Sequence, residues 1–393
     1  MKHEGVLKIP AVYMRGGTSK GVFFKTADLP PAGAVRDRLL LRVMGSPDPY
    51  AKQMDGMGGA SSSTSKAVLL SRSSQPDCDI DYLFGQVSVD KPVVDWSGTC
   101  GNLAAAVGPF AIEAGLLDAP KNGTAVVRVW QVGLRRKIVV HVPMSDGAVV
   151  EDGAFELDGV AFPAAKLRVD FVDPSGSAEA GNSRGLFPTG KIVERLRVPG
   201  QGEYDVTMID AGMPAIFIHA EALGLTGAEL QPEVNSRPDF LARCEAIRAH
   251  GAVAMGVAPS IEAAGERFPH APKLAFVAKP RAYTASSGKP VADKDVDLLV
   301  RIISMGTLHH AMTGTGGVAI AAAACIPGTL VHDIVGDLDG RAVRVGHPSG
   351  TLEAAAEARQ DNGLWSIAQV SMYRSARRIM EGHVRVPASV LAG

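Results

Sequence analysis

The stretch VVDWSGTCGNLAAAVGPFAIEAGLL, residues 93–117, decides how the chain folds. A lone cysteine sits on a Ser-Gly-Thr-Cys-Gly-Asn turn, directly ahead of an alanine-rich segment that is almost free of charge. A helix that is apolar all round has to be buried on every side. Its alanines predict tight enclosure, as when a curved sheet wraps around a central helix. A second segment of this kind, HHAMTGTGG followed by VAIAAAACIPGTL, occupies residues 309–330. Each half of the chain thus carries one such helix behind a glycine-rich turn, an internal repeat at the level of architecture.

Around these helices the sequence predicts mostly strands. KAVLLS (66–71), KLAFVAKP (273–280) and LWSIAQVSM (364–372) have the β-branched, apolar character of strands. AVVRVWQVG and RKIVVHVPM, around 125–144, predict an antiparallel hairpin across Gly133. FLARCEAIRAH (240–250) and DKDVDLLVRIIS (293–304) fit a helical period. Many strands, few helices and no regular β-α alternation make the fold class α+β rather than a doubly wound sheet. The stretch 171–191, dense in Gly, Ser, Pro and Asn, marks the boundary. The expected domains are 1–182 and 183–393, leaving open that the chain end packs back on the first.

Composition narrows the function. Forty basic and 41 acidic residues give a net charge of −1, without the basic excess that nucleic-acid or membrane-surface binding needs. The N-terminal residues lack an apolar run long enough for a secretory signal, and the most apolar run, 316–328, is too short to span a bilayer. The expectation is a soluble, cytoplasmic protein. Cys78, Cys100, Cys244 and Cys325 are isolated, with no C-x-x-C pair or metal-ligand spacing, so no metal site and no disulfide framework is expected.

Three segments carry candidate chemistry. Cys100, at the first turn of a helix, would face unpaired N–H groups and the positive end of the helix dipole, surroundings that activate a thiol. The amides of Gly101 and Asn102 are candidate donors to a substrate carboxylate. In MDGMGGASSSTSKAVLL (54–70), Gly and Ser lead up to Lys66. A lysine in a dry pocket can lose its proton and serve as a base. The alternative is a solvated lysine at the end of a polar loop. Ser63-Thr64-Ser65-Lys66 also matches S-x-x-K, but the S-D-N-like and K-T-G elements of serine acyl enzymes are missing. In YMRGGTSKGVFF (13–24), Arg15, Thr18, Ser19 and Lys20 are candidate anion donors, without the spacing of a Walker A loop. His309 and His310 precede the second turn and are read as orienting it or touching substrate rather than as partners of Cys100.

AVYMRGGTSKGVFF, GSPDPYAKQMDGMGGASSSTSK, DYLFGQVSVDKPVVDWSGTCGN, LFPTG and GHPSGTL, in that order, resemble the PrpF family. The resemblance runs from about residue 8 to RSARRIMEGHVRVP at 374–387. It implies a diaminopimelate-epimerase-like fold of two pseudo-symmetric halves, each a β-sheet wrapped around a central helix. It also implies 2-methylaconitate cis-trans isomerase activity, as used in propionate breakdown by the 2-methylcitrate cycle. The family's general base maps onto Lys66 and its helix-start cysteine onto Cys100. Ser19, the run Ser62, Ser63, Thr64 and Ser65, and the turn with Met312, Thr313, Gly314 and Thr315 would line the site, with His309 beside it. Lys191 and Met213 depart from the family pattern and leave the identity of the tricarboxylate less defined.

The chemistry so implied is removal of a methylene proton to give an allylic carbanion, rotation about the former double bond, and return of the proton. It needs no cofactor, and none is expected. The expected partners are a small unsaturated tricarboxylate, an aconitase-type 2-methylcitrate dehydratase and a second copy of the chain. Epimerases of this fold oppose two cysteines; Thr313 at the second turn therefore speaks against amino-acid epimerisation. Two alternatives stay open: an allylic Δ-isomerase or tautomerase of a methylitaconate or 4-oxalomesaconate type, and a non-catalytic accessory protein of the dehydratase.

Overall fold

The computed structural model describes residues 5–175 and 185–392. The chain divides into two compact units. The first runs from the N-terminal end to Leu157 and adds Phe162–Val169 and the segment from Arg374 onward; the second comprises Asp158–Ala161 and Asp170–Tyr373. The expected boundary at 182/183 lies outside the described residues.

Unit 1 opens with a hairpin of β1 (Val6–Gly16) and β2 (Ser19–Lys25), followed by helix α1 (Ala34–Met44). Strand β3 (Lys66–Arg72) pairs parallel with β2 and antiparallel with β4 (Ile80–Val87). After the short β5 (Val94–Asp95) comes α2 (Ala104–Glu113). The hairpin β6 (Gly123–Gln131) and β7 (Arg136–Ser145) then adds β6 parallel to β4. The short β8 (Ala148–Val149) and β9 (Leu167–Val172) lead out of the unit. Residues Ala104 to Ala111 of α2 are all buried, which is why an uncharged alanine helix is tolerated there. Gly108 has no room for a side chain: a Cβ would lie 2.7 Å from Val142 of β7.

Unit 2 contains β10 (Glu194–Val198), β11 (Gly202–Ala211) and β12 (Met213–His219), then α3 (Gln231–Asn235), α4 (Pro238–Ala254) and α5 (Ile261–Glu266). Strand β13 (Lys273–Ala278) pairs parallel with β12; a small hairpin, β14 (Tyr283–Thr284) with β15 (Pro290–Val291), follows. Strand β16 (Leu298–Ser304) pairs antiparallel with β13 and leads through β17 (Thr307–Leu308) to α6 (Gly314–Ala324), whose eleven residues are all buried. The short α7 (His332–Val335) precedes β18 (Val343–His347), which lies parallel to β16. The long strands β19 (Gly350–Asp361) and β20 (Leu364–Arg374) complete the unit. The last strand, β21 (Ala376–Pro387), then pairs antiparallel with β1 in unit 1.

One expected element is of the wrong type. Residues 293–304 form a short 3-10 turn and the strand β16, not a helix. Every residue of β16 is buried, so both faces are apolar and the two-residue alternation that marks a half-exposed strand is absent. Periodicity alone does not separate such a strand from a buried helix.

The two units repeat one connectivity. In each, an antiparallel hairpin is followed by a parallel strand, an antiparallel neighbour, a short return strand, the buried helix, and a hairpin whose first strand joins in parallel. The elements in order are β1, β2, β3, β4, β5, α2, β6 and β7 against β11, β12, β13, β16, β17, α6, β18 and β19. Both initial hairpins press a glycine in the left-handed region on their helix. Gly17, at φ +52, would place a Cβ 2.7 Å from Asn102 Oδ1, and Gly212, at φ +71, would place one 2.9 Å from Val318 Cγ1. Only glycine meets both the conformation and the space.

Candidate active site

Lys66 is the first residue of β3 and is fully enclosed, 5% exposed. Its Nζ donates to Gln86 Oε1 over 2.7 Å, and the Cys100 side chain is its electrostatic neighbour. It also stands 4.9 Å from the centroid of the Phe84 ring. Gln86 faces Lys66 across the β3–β4 ladder, and its Nε2 donates to Ser65 O over 2.9 Å. That bond fixes the amide so that its oxygen points at the amine. Burial pushes the Lys66 amine below its ordinary value, with the neighbouring cysteine opposing the shift in part. A lowered amine held by an acceptor is closer to the neutral form that a general base requires.

Cys100 lies on the turn before α2, and its carbonyl accepts the first helical bond, from Ala104 N over 3.1 Å. Leu103 N donates to Cys100 Sγ over 3.5 Å, so the thiol occupies the place of a helix cap. Tyr82 Oη donates to Cys100 O over 3.1 Å and fixes the turn from below. Burial raises the Tyr82 phenol well above its usual value, which keeps it a donor. Asn102 is buried, and its Nδ2 donates to Thr18 Oγ1 over 2.9 Å, tying the helix start to the β1–β2 turn.

The glycine-rich turns therefore serve close packing of backbone on backbone. A Cβ at Gly16 would lie 2.8 Å from Asn102 O, and one at Gly21 would lie 2.7 Å from Lys66 O. Lys66, Cys100, Gly101, Asn102 and the Thr18–Ser19 turn thus come together in unit 1. Ser19 and Ser63 are buried there, whereas Ser62 and Thr64 are partly exposed and Thr64 Oγ1 lies 2.8 Å from Ser61 Oγ.

Two expected binding residues have other work within the unit. Arg15 Nη1 donates to Gly17 O over 3.1 Å and to Ser375 O over 2.9 Å, bracing the hairpin turn against the last strand's approach. Burial and the neighbouring Arg377 push its guanidinium down to about 10. Ser65 Oγ donates to Val87 O over 2.8 Å and accepts from Gln53 Nε2 over 2.7 Å, with no exposure. The S-x-x-K run ends on a strand rather than opening a helix, so no serine nucleophile is built there.

In unit 2 the expected residues gather at the start of α6. Thr313 caps the helix: its Oγ1 accepts from Gly316 N over 3.0 Å. Gly314 is the first helical residue, and Thr315 Oγ1 lies 4.0 Å from Met213 Sδ. His309 Nδ1 lies 2.7 Å from Ala311 O and its ring stacks on His310 at 4.7 Å, so it holds the turn into the helix. Met312 is buried beside it, while Lys191 is exposed. A cavity of about 430 Å³ elsewhere in unit 2, with His219, Glu221, Lys279 and Arg281 on its walls, includes none of these residues.

A polar cluster that the sequence reading passed over lies in the same unit. Lys273, the first residue of β13, is 4% exposed, and its Nζ donates to Ser304 Oγ over 3.0 Å and to His270 O over 3.2 Å. The available signal was that KAVLL and KLAFV are both strands opened by lysine.

Among the described residues no cluster of three or more His, Cys, Asp or Glu side chains is arranged to hold a metal ion. None of their helices is long and apolar enough to cross a membrane. All four cysteines are free of disulfides.

Comparison with known proteins places this geometry in a family. The family model described as PrpF protein matches residues 6–387, and the chain belongs to that family. It is 59% identical to a 2-methyl-aconitate isomerase of Shewanella oneidensis over 97% of each chain. A 2-methyl-aconitate isomerase of Cupriavidus necator is 57% identical over 98% of this chain and 99% of that one. A 3-methylitaconate isomerase of Eubacterium barkeri is 38% identical over 97% of each. Among solved structures, a methylitaconate-delta-isomerase superposes with a TM-score of 0.77 at 38% identity, covering 99% of this chain and 98% of that one. A probable proline racemase from Agrobacterium radiobacter superposes with a TM-score of 0.54 at 12% identity over 98% and 95%. That likeness concerns the fold alone and assigns the chain to the architecture shared by racemases and epimerases of the diaminopimelate-epimerase type.

Proposed function

We propose that this member of the PrpF family interconverts trans- and cis-2-methylaconitate by moving one proton. The observation that carries the reading is the enclosed Lys66 amine, held by Gln86 with Cys100 as its electrostatic neighbour, in a chain 59% and 57% identical to two 2-methyl-aconitate isomerases.

A neutral amine has one lone pair and two N–H bonds. Gln86 Oε1 accepts one N–H, which leaves the lone pair to accept the methylene proton of the substrate. The C–H electron pair then spreads over the allylic system and the adjacent carboxylate. The former double bond gains single-bond character and rotates. The ammonium on Lys66 returns the proton to the same carbon, so atoms and charge balance with no external reagent. Cys100, the electrostatic neighbour of the amine, is placed to assist as a second acid–base or as a wall of the pocket. The amides of Gly101 and Asn102 at the helix start meet a carboxylate. Ser19 and Ser63 supply hydroxyls beside it.

A second reading has its own support: the 38% identity to a 3-methylitaconate isomerase. The same base serves a Δ-isomerase if the proton returns to the far end of the allyl system. Proton NMR of the purified protein with trans-2-methylaconitate in deuterated water separates the two. Cis product with deuterium at the methylene supports the cis-trans isomerase, and a migrated double bond selects the Δ-isomerase. No exchange at saturating substrate overturns both.

The remaining parts of the reading are proposals on the same footing. The protein is cytoplasmic, acts in propionate breakdown by the 2-methylcitrate cycle, works beside an aconitase-type dehydratase and forms a homodimer. Size-exclusion chromatography with light scattering tests the dimer, and the mass of one chain, 41.0 kDa, refutes it.

A further inference from the structure

Gln86 stands in the middle of a rung across three strands of unit 1. Lys66 of β3 faces it on one side and Asp95 of β5 on the other. Directly opposed residues share a face of the sheet, and neighbouring strands lie about 5 Å apart. An amine and a carboxylate on adjacent strands would pair as ions; here an uncharged amide lies between them. The Asp95 carboxylate turns to its own loop instead, where Oδ1 accepts from Ser97 N over 2.8 Å and from Ser97 Oγ over 2.6 Å.

The Gln86 amide is 3% exposed and engaged at both ends. Its Nε2 donates to Ser65 O over 2.9 Å, and its Oε1 accepts from Lys66 Nζ over 2.7 Å. Ser65 is itself fixed. Its carbonyl also accepts from Val87 N over 3.1 Å, and its hydroxyl donates to Val87 O over 2.8 Å. Gln53 Nε2 donates to that hydroxyl over 2.7 Å, while Gln53 Oε1 accepts from Ala60 N over 2.8 Å. Turning the Gln86 amide over would set donor against donor at Lys66 and acceptor against acceptor at Ser65. The backbone just before the base therefore decides which end of Gln86 meets the amine.

The other elements against the amine are known. Strand β2 presents Gly21, β4 presents the Phe84 ring, and the turn before α2 presents the Cys100 thiol. An amide oxygen accepts from an amine and from an ammonium alike, and it takes no charge in either case. We propose that Gln86 is a positioning residue, whose locked and uncharged amide oxygen holds one N–H of Lys66 through both protonation states of the amine. The inference rests on the isomerase reading for the reaction, but the titration of the amine is measurable without it.

The test uses the full chain with Gln86→Met and Gln86→Glu, both close to the original side chain in length, beside Lys66→Arg. Wild-type turnover of trans-2-methylaconitate comes first and tests the isomerase reading by itself. In Gln86→Met the acceptor is gone, and kcat should fall about 10- to 100-fold with KM changed by less than about threefold. A hydrogen bond to the charged form favours that form, so losing it should move the pH profile of kcat/KM to lower pH. Gln86→Glu sets a carboxylate against the amine, and the profile should move to higher pH. Heteronuclear NMR of isotope-labelled lysines reads the same two shifts without substrate, the Lys66 signal being assigned by its loss in Lys66→Arg. Opposite displacements of the Lys66 titration in the two variants support the proposal, whether or not methylaconitates are turned over. A titration that stays in place, or moves the same way in both, overturns it. So does a raised KM with kcat unchanged. If Gln86→Met does not fold, the upward shift in Gln86→Glu decides alone.

Discussion

Lys66 and Lys273 open strands of the same rank in two units with the same connectivity, yet different side chains surround them. In unit 1 the amine meets an amide oxygen, an aromatic face and a thiol. In unit 2 it meets a hydroxyl and a backbone carbonyl, and the helix start carries Thr313 where unit 1 has Cys100. The backbone repeat is therefore conservative and the chemistry is not. Register fixes where an amine stands; the neighbouring side chains set what it meets there.

The largest effect that would break this comparison is expected at Lys66. Lys66→Arg keeps N–H donors at the site and removes the base, and turnover should fall about 10²–10⁴-fold, measured by steady-state conversion and by solvent deuterium uptake. Retention of exchange would remove Lys66 from the chemistry and leave the two lysines equivalent. Because burial depresses the Lys66 amine, its base form appears at lower pH than in a free lysine. The rate should therefore rise with pH through an apparent pKa below the ordinary value of 10.5, as read from kcat/KM between pH 6 and 10. A flat profile would show that the amine does not titrate in the reaction.

The paired hairpin glycines give the next effect. Gly17→Ala and Gly212→Ala each force a side chain into the left-handed region against a close neighbour. Both should cost about 1–3 kcal/mol in chemical denaturation. Gly17→Ala presses on Asn102, two residues from Cys100, and should lower kcat as well; Gly212→Ala presses on Val318 inside the helix and should not. Equal losses of activity would mean that the two turns are not differentiated.

The smallest effect is at the second helix cap. Thr313→Ala removes the acceptor for Gly316 N and should cost about 1 kcal/mol, with Thr313→Ser close to wild type. If Thr313→Cys gained proton exchange in a Lys66→Ala background, the helix start of unit 2 would be shown to lack only its thiol.

Much of this was open to reading along the chain. The two charge-free alanine segments define buried helices because no partly exposed helix can be apolar all round, and α2 and α6 are buried accordingly. The punctuation around Cys100 marks a helix start, whereas the Gly/Ser run before Lys66 leaves an enclosed and a solvated amine both open, and the fold encloses it. Other features were closed to sequence because they depend on long-range pairing. Residues 298–304 have no polar face to declare them a strand. Ser65 and Arg15 read as donors to a ligand until Val87, Gln53 and Ser375 are brought to them by the fold.

The sequence by itself determined the α+β class and the two central helices and marked Lys66 and Cys100 as candidates, because local composition and glycine punctuation have local physical causes. Only the tertiary structure decided that KLAFVA stands where KAVLLS stands in the other unit. That equivalence is set by ladder register between strands far apart in the chain, and register leaves no trace in the periodicity of either strand alone.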